Sequence, residues 1–267
     1  MLFKDSALIR PCSEDEFHLV DYKIMEIVFS IHKELGRFCD EKIYQNELAY
    51  RCHDMDFETV ATEVPIQVSY KDFCKTYYMD LLINNIVMYE LKTVKNLTGE
   101  HEKQALNYLL LTGMHHGKLI NMRQESVQHR FISTRLTKEK RLKFITADWE
   151  WEDLDEDSTF LRQLMISLLS EWGAFLDIQL YYDAISHFRG GEEQVIKRIE
   201  IVKDSRVLGT QRVHLLNHEV AFKVSAATKT KSFYEQHLRR FLNHTSLKAI
   251  QWINFEHNKI VFSTISK

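Results

Sequence analysis

The sequence predicts an α/β protein made of two similar domains. Three observations carry this: one order of helical and strand-like segments occurs twice, the two copies share residues at nearly constant spacing, and breakers are scarce. Only two prolines and eight glycines occur in 267 residues, so long regular elements can run uninterrupted. With 45% hydrophobic residues the chain can bury two cores of ordinary size.

Taken in order, residues 17–53 repeat apolar side chains at helical spacing: Ile24, Ile27, Val28, Ile31, Leu35, then Ile43, Tyr44 and Leu48. Gly36 marks a break within that span. Three β-rich runs follow at 62–70, 76–83 and 86–94. Asn84-Asn85 signals a hairpin between the last two, because Asn tolerates positive φ. A helix is expected over 99–112 and strands over 117–122 and 129–136. The order then returns: one helix over 159–188, strands at 195–202, 209–216 and 220–226, a helix at 232–243, and strands at 249–255 and 260–265. Matching residues support an internal duplication. Gly36, Phe38, Asp40 and Tyr44 match Gly173, Phe175, Asp177 and Tyr181 at a shift of 137. Leu82, Asn84, Val87, Glu102, Leu109, Thr112, Ile120 and Asn121 match Leu215, Asn217, Val220, Glu235, Leu242, Thr245, Ile253 and Asn254 at a shift of 133. The predicted domains are 1–147 and 158–267, joined by a linker over 148–157 that holds seven acids and no base.

Cys12, Cys39, Cys52 and Cys74 form no CxxC pair, which predicts free thiols and a cytoplasmic protein. No apolar run is long enough to cross a bilayer, and residues 1–5 lack a secretory apolar segment, so no membrane association is expected. The net charge of -3 is unevenly spread: residues 172–267 hold 14 Lys or Arg against 9 Asp or Glu, a weakly basic half able to approach phosphates. No Gly-rich phosphate loop is present, and His115-His116 reads as a solvated turn.

The chemistry concentrates in two strands. On the second, Asp80 alternates with Met79 and Leu81; on the third, Glu90 and Lys92 share a face while Leu91 takes the other. If these strands pair, two carboxylates and an ammonium meet at one point. Neighbouring carboxylates repel and rise in pKa unless a cation lies between them. Oxygen donors favour Mg²⁺ or Mn²⁺, with Lys92 holding the attacking water and offsetting charge on a scissile phosphate. In the next helix Gln104 and Tyr108 lie four apart on one face, with His101 one turn earlier. That polar stripe is expected to orient water and substrate, His101 as a substrate contact.

The ordered set Gly36-(x4)-Glu41-(x2)-Tyr44, Asp80-Leu81-Leu82, Glu90-Leu91-Lys92, His101-(x2)-Gln104-(x3)-Tyr108 and Leu119-Ile120-Asn121 resembles the bacterial GxxExxxY-type proteins. Those belong to the PD-(D/E)xK nuclease superfamily and are similar to its RecB-like branch. The resemblance covers residues 20–136. It implies a restriction-endonuclease-like mixed sheet flanked by helices, a helix acid, Glu41, near the metal, and a Gln104–Tyr108 helix facing the substrate. Phe38 stands where the family usually has a second glycine and Met79 where it has Pro; Glu63 is a peripheral acid.

The implied function is a Mg²⁺- or Mn²⁺-dependent nuclease acting on nucleic acid, with DNA the expected polymer. Its metal ligands are Asp80 and Glu90, and Lys92, Glu41, Gln104 and Tyr108 complete the catalytic set. The alternative is a non-catalytic module that keeps the fold to bind nucleic acid or protein. In the second copy Glu41, Asp80, Glu90, Lys92 and Gln104 correspond to Ile178, Val213, Lys223, Ser225 and His237, so no metal ligand survives there. That copy is expected to act as scaffold, internal pseudo-dimer partner or DNA-holding surface, with Arg239-Arg240, Lys229 and Lys231 at candidate phosphate positions.

Overall fold

The structure, a computed structural model, describes residues 9–55 and 57–267; the expectation about residues 1–5 lies outside them. The chain divides into two units between Thr137 and Lys138.

In the first unit, helix α1 (Glu14–Leu35) opens on a capping box in which Ser13 and Glu16 satisfy each other's backbone N–H groups. It buries Phe17, Ile24, Ile27, Val28 and Ile31 along one stripe. It ends where Gly36 turns to φ 70°. Helix α2 (Glu41–Asp54) follows and buries Tyr44, Leu48 and Cys52. The long strands β1 (Val60–Tyr70) and β2 (Phe73–Ile83) pair antiparallel, and β2 pairs antiparallel with β3 (Val87–Lys92). Between β2 and β3, Asn84 and Asn85 both adopt positive φ, 51° and 56°, as the sequence predicts for a primed turn. Helix α3 (Gly99–Thr112) then crosses to β4 (His116–Asn121), which runs parallel to β3, and β5 (Gln128–Ser133) closes the edge antiparallel to β4. The result is a mixed sheet in the order β1-β2-β3-β4-β5 flanked by helices, a restriction-endonuclease-like arrangement. Leu81, Ile83, Val87, Tyr89 and Leu91 pack in one core with α1 and α2. The buried Asp21 of α1 pairs with Lys118 of β4 inside that face and also accepts from the Tyr89 hydroxyl at 3.4 Å.

The second unit has a short helix α4 (Lys138–Arg141) and strand β6 (Ile145–Glu150), then helices α5 (Glu156–Trp172), α6 (Ile178–Phe188) and α7 (Glu192–Val195). Strands β7 (Ile196–Lys203) and β8 (Arg206–His214), β9 (Val220–Ser225), helix α8 (Lys231–Asn243), and strands β10 (Ala249–Glu256) and β11 (Lys259–Ser266) follow. Its main sheet has the order β6-β11-β10-β9, and β7-β8 form a separate ribbon. A single bridge, Leu215↔Ala221, joins the end of the ribbon to β9.

Two expectations are corrected here. The acidic stretch 148–157 is not a free linker: its start lies in β6, which pairs in parallel with β11, and its end begins α5, where Asp155 caps the helix through the Ser158 N–H at 2.7 Å. Acids belong at a helix start, where the dipole is positive. The span 159–188 is likewise two helices, broken at Gly173, whose φ is 80°. A Cβ there would stand 2.8 Å from the Arg141 backbone, so no larger residue fits.

Pairing recurs between the units at the shifts found in the sequence. Glu90↔Leu119 and Lys92↔Asn121 in the first become Lys223↔Trp252 and Ser225↔Asn254 in the second, and Asn121↔Gln128 becomes Asn254↔Val261. The Tyr44 hydroxyl donates to the Gly36 carbonyl, and Tyr181 donates to Gly173. Asn121 clamps Val94, accepting from its N–H at 3.1 Å and donating to its carbonyl at 2.8 Å. Asn254 clamps Ala227 in the same way at 2.9 and 2.7 Å.

Replacing Asn121, which is fully buried, strands both Val94 backbone groups. Asn121→Ala is expected to cost roughly 2–4 kcal/mol, read as a lower urea midpoint; a cost below about 0.5 kcal/mol would show that water replaces the clamp.

Candidate active site

Strand alternation and the Asn turn together place the charged groups. The β2–β3 register pairs Leu81 with Tyr89, which sets Asp80 and Glu90 against each other one step further along. The two strands also hold these side chains by backbone donors: the Leu91 N–H donates to Asp80 Oδ2 at 2.8 Å and the Asp80 N–H to Glu90 Oε1 at 3.2 Å. Lys92, two residues on and on the same face, brings its Nζ to 3.4 Å from Glu90, 3.7 Å from Asp80 and 3.8 Å from Glu41. Glu41 reaches this point from the first residue of α2. Side-chain exposure grades from 1% for Glu90 through 12% for Lys92 and 17% for Asp80 to 39% for Glu41. The cluster therefore opens to solvent on the Glu41 side.

Burial dominates the electrostatics. It pushes Glu90 up to about 8, reinforced by the Asp80 carboxylate and opposed by Lys92. Burial also raises Asp80 and Glu41, in both cases against the pull of Lys92. For Lys92 burial works to lower the pKa, but Glu90, Asp80 and Glu41 together outweigh it and the ammonium is held protonated.

The remaining candidates separate. Gln104 Nε2 donates to the Tyr108 hydroxyl at 2.9 Å. Tyr108 is buried and Gln104 half-buried, so the tyrosine supports the glutamine from beneath instead of facing a substrate alongside it. Burial first, then the Glu90 charge, raises the Tyr108 phenol and keeps it protonated. His101 is not part of this face: its Nδ1 accepts the Thr98 N–H at 2.9 Å, making it the return half of the α3 capping box. A helix start was written into the sequence there, and the side chain serves it. Glu63 pairs with Lys42 at 2.8 Å on the rim, at a positive φ of 52°.

Sequence reasoning missed Gln45. This residue is buried, and its Nε2 donates to the Asp80 carbonyl at 2.6 Å, tying α2 to the strand that carries the acid. The signal was present: Gln45 lies one helical turn after Glu41, on the same face.

Residues 18–133 match the PD-(D/E)XK nuclease superfamily model. The matched segment lies inside the first unit and contains all four clustered side chains. No curated protein gives a significant match, and no solved structure does. Superfamily members generally hydrolyse phosphodiester bonds, typically with Mg²⁺ or Mn²⁺. The donor set here fits such an ion in chemistry. Fully ionised, three carboxylates exceed the single Lys92 charge by two, and all the donors are oxygen, as those ions require. Among the described residues no three His, Cys, Asp or Glu side chains stand at ligating distance from one point; the Lys92 ammonium lies among the carboxylates.

A carboxyl near 8 in the folded protein and near 4.5 when unfolded keeps its proton only in the folded state across that window. Stability without divalent ions therefore falls as pH rises from about 4.5 to 8. Glu90→Gln is expected to remove roughly 2–4 kcal/mol of that decline. Urea unfolding in EDTA at pH 5 and pH 8 measures it, and parallel slopes for the two proteins would refute the assignment.

Proposed function

We propose that the first unit is a Mg²⁺- or Mn²⁺-dependent nuclease that hydrolyses phosphodiester bonds of DNA, and that the second unit is a diverged copy without the reaction. The observation that carries this is the convergence of Asp80, Glu90 and Glu41 on one lysine within 3.8 Å, inside the matched superfamily segment. The ordered motifs from Gly36 to Asn121 support reading it as similar to the GxxExxxY-type, RecB-like proteins. The recurrence of strand register and of the Tyr and Asn clamps supports the duplication. No helix among the described residues is long and apolar enough to cross a membrane, and Cys12, Cys39, Cys52 and Cys74 are free thiols, in keeping with a cytoplasmic enzyme.

In this reading Asp80 and Glu90 hold the cation, with Glu41 at the solvent side as a third acid. The ion, when bound, supplies Lewis-acid polarisation of the scissile phosphate. Lys92, kept protonated by its three neighbours, positions the attacking water and offsets charge on the phosphoryl oxygens. Gln104 keeps its amide oxygen and one N–H for substrate, because the other N–H is fixed on Tyr108. Tyr108 is thus a positioning residue. Gln45 fixes the strand that carries Asp80.

Labelled DNA and RNA, single- and double-stranded, incubated with Mg²⁺ or Mn²⁺ test the reaction. Wild-type protein should cut DNA, and Lys92→Ala should lose at least about a hundredfold in rate while staying folded, its melting temperature without Mg²⁺ lowered because three carboxylates lose a neighbouring cation. Equal cleavage by both proteins rejects the site. In a separate melt, Mg²⁺ should stabilise the wild type and leave Glu90→Gln unmoved. No effect of either ion on the wild type would favour a module that binds without cutting.

A further inference from the structure

The place in the second unit that corresponds to the nuclease cleft holds a groove of about 410 Å³, lined by the end of β8, by β9 and by α8. The β9–β10 register sets Lys223 where Glu90 stands in the first unit, and the same shift of 133 assigns Val213 to Asp80 and His237 and Phe241 to Gln104 and Tyr108. A metal site has become its opposite. The lining contains Arg212, Lys223 and His237 and not one acid. Neither Lys223 nor Arg212 makes an ion pair among the described residues. The Lys223 ammonium lies over the Tyr182 ring, 5.9 Å from its centroid.

An ammonium so placed costs free energy. Burial alone lowers the Lys223 pKa, with no carboxylate to oppose it. His214 is also lowered by burial, then by Lys223 and Arg212, so the groove already repels added positive charge. Asp183, which acts on His214 in the other sense, accepts from Gln179 at 2.7 Å. Two of the four bases that the sequence singled out serve elsewhere: Arg239 pairs with Glu235 and Lys231 with Glu256. Aromatic surface completes the lining. The Tyr234 ring is held flat against Trp252, centroids 5.6 Å apart and 21° from parallel, and His237 packs edge-on against Phe233. Fixed aromatic rings beside unpaired cations suit a strand whose bases are unstacked and whose phosphates need neutralising. The volume falls in the range that admits one nucleotide-sized group.

We propose that this groove binds single-stranded nucleic acid, one phosphodiester group lying on Lys223 and Arg212 and the adjoining base against Tyr234 and His237. The inference rests on the nuclease reading only for the choice of polymer.

Binding is measured with the full chain in EDTA, by anisotropy of a labelled 12-nucleotide single strand across a salt series. Lys223→Met removes the charge at similar length and relieves a buried cation, so it should fold at least as stably as wild type. It is expected to weaken binding severalfold and to lower the salt slope by about 0.7. Lys223→Glu should weaken it further, and Lys223→Arg should restore most of it. Unchanged affinity and slope in both Lys223→Met and Lys223→Glu overturn the proposal, as does a Lys223-dependent affinity for a poly-glutamate peptide that equals that for the strand. Loss of binding in these variants by a protein that never cuts would keep this inference and sink the nuclease. Cutting by a protein whose binding ignores Lys223 would do the reverse.

Discussion

The register of the β2–β3 hairpin is the constraint on which the chemistry of the first unit depends. Side chains alternate with a period of two, so a slip of one residue would turn Asp80 from the charged face into the core shared by α1 and α2. That core holds Leu81, Ile83, Tyr89 and Leu91, and their burial enforces the register that confronts Asp80 with Glu90. Repulsion between these carboxylates is thus maintained by apolar packing on the other side of the same strands. The Asn84-Asn85 turn sets the phase, since both residues take the positive φ that a two-residue primed turn demands.

Local and periodic signals made the first unit legible. Each strand and helix of its sheet lies within a few residues of its predicted span, because the helices repeat apolar residues at helical spacing and the strands are β-rich runs, with the central β3 and β4 buried almost throughout. The charged trio was legible for the same reason: polar residues interrupting a buried strand have to be satisfied by something. His101 misled because helical spacing alone cannot tell a capping side chain from a functional one; the Thr98 hydroxyl three residues before it was the discriminating sign. Strand β6 was illegible for a different reason. Only Ala147 in it is buried, and it is held chiefly by backbone pairing to β11, a distant partner that leaves no alternation in the sequence.

The two units also share buried contacts that involve no charged side chain. Tyr181 and Asn254 keep the contacts of Tyr44 and Asn121, and both satisfy backbone groups that burial would otherwise strand. Those contacts are required for the fold whatever the chain does. The carboxylates are different, because burial first and the neighbouring Asp80 charge second disfavour the ionised form of Glu90. At the positions a shift of 133 matches, Val213, Lys223 and Ser225 replace Asp80, Glu90 and Lys92, and no carboxylate stands among them.

That replacement has a structural counterpart in the sheets. In the first unit β2 joins β3 through three paired residues, and the sheet is continuous. In the second only Leu215↔Ala221 remains, at the position of Leu82↔Met88 in the first unit, and the β7–β8 ribbon stands as its own sheet. Beyond that bridge β8 and β9 are not paired. Val213 and Lys223 both line the groove beside α8. The end of β8 and Lys223 of β9 thus meet in one groove whose lining carries Arg212, Lys223 and His237 and no carboxylate, a setting that favours an anion.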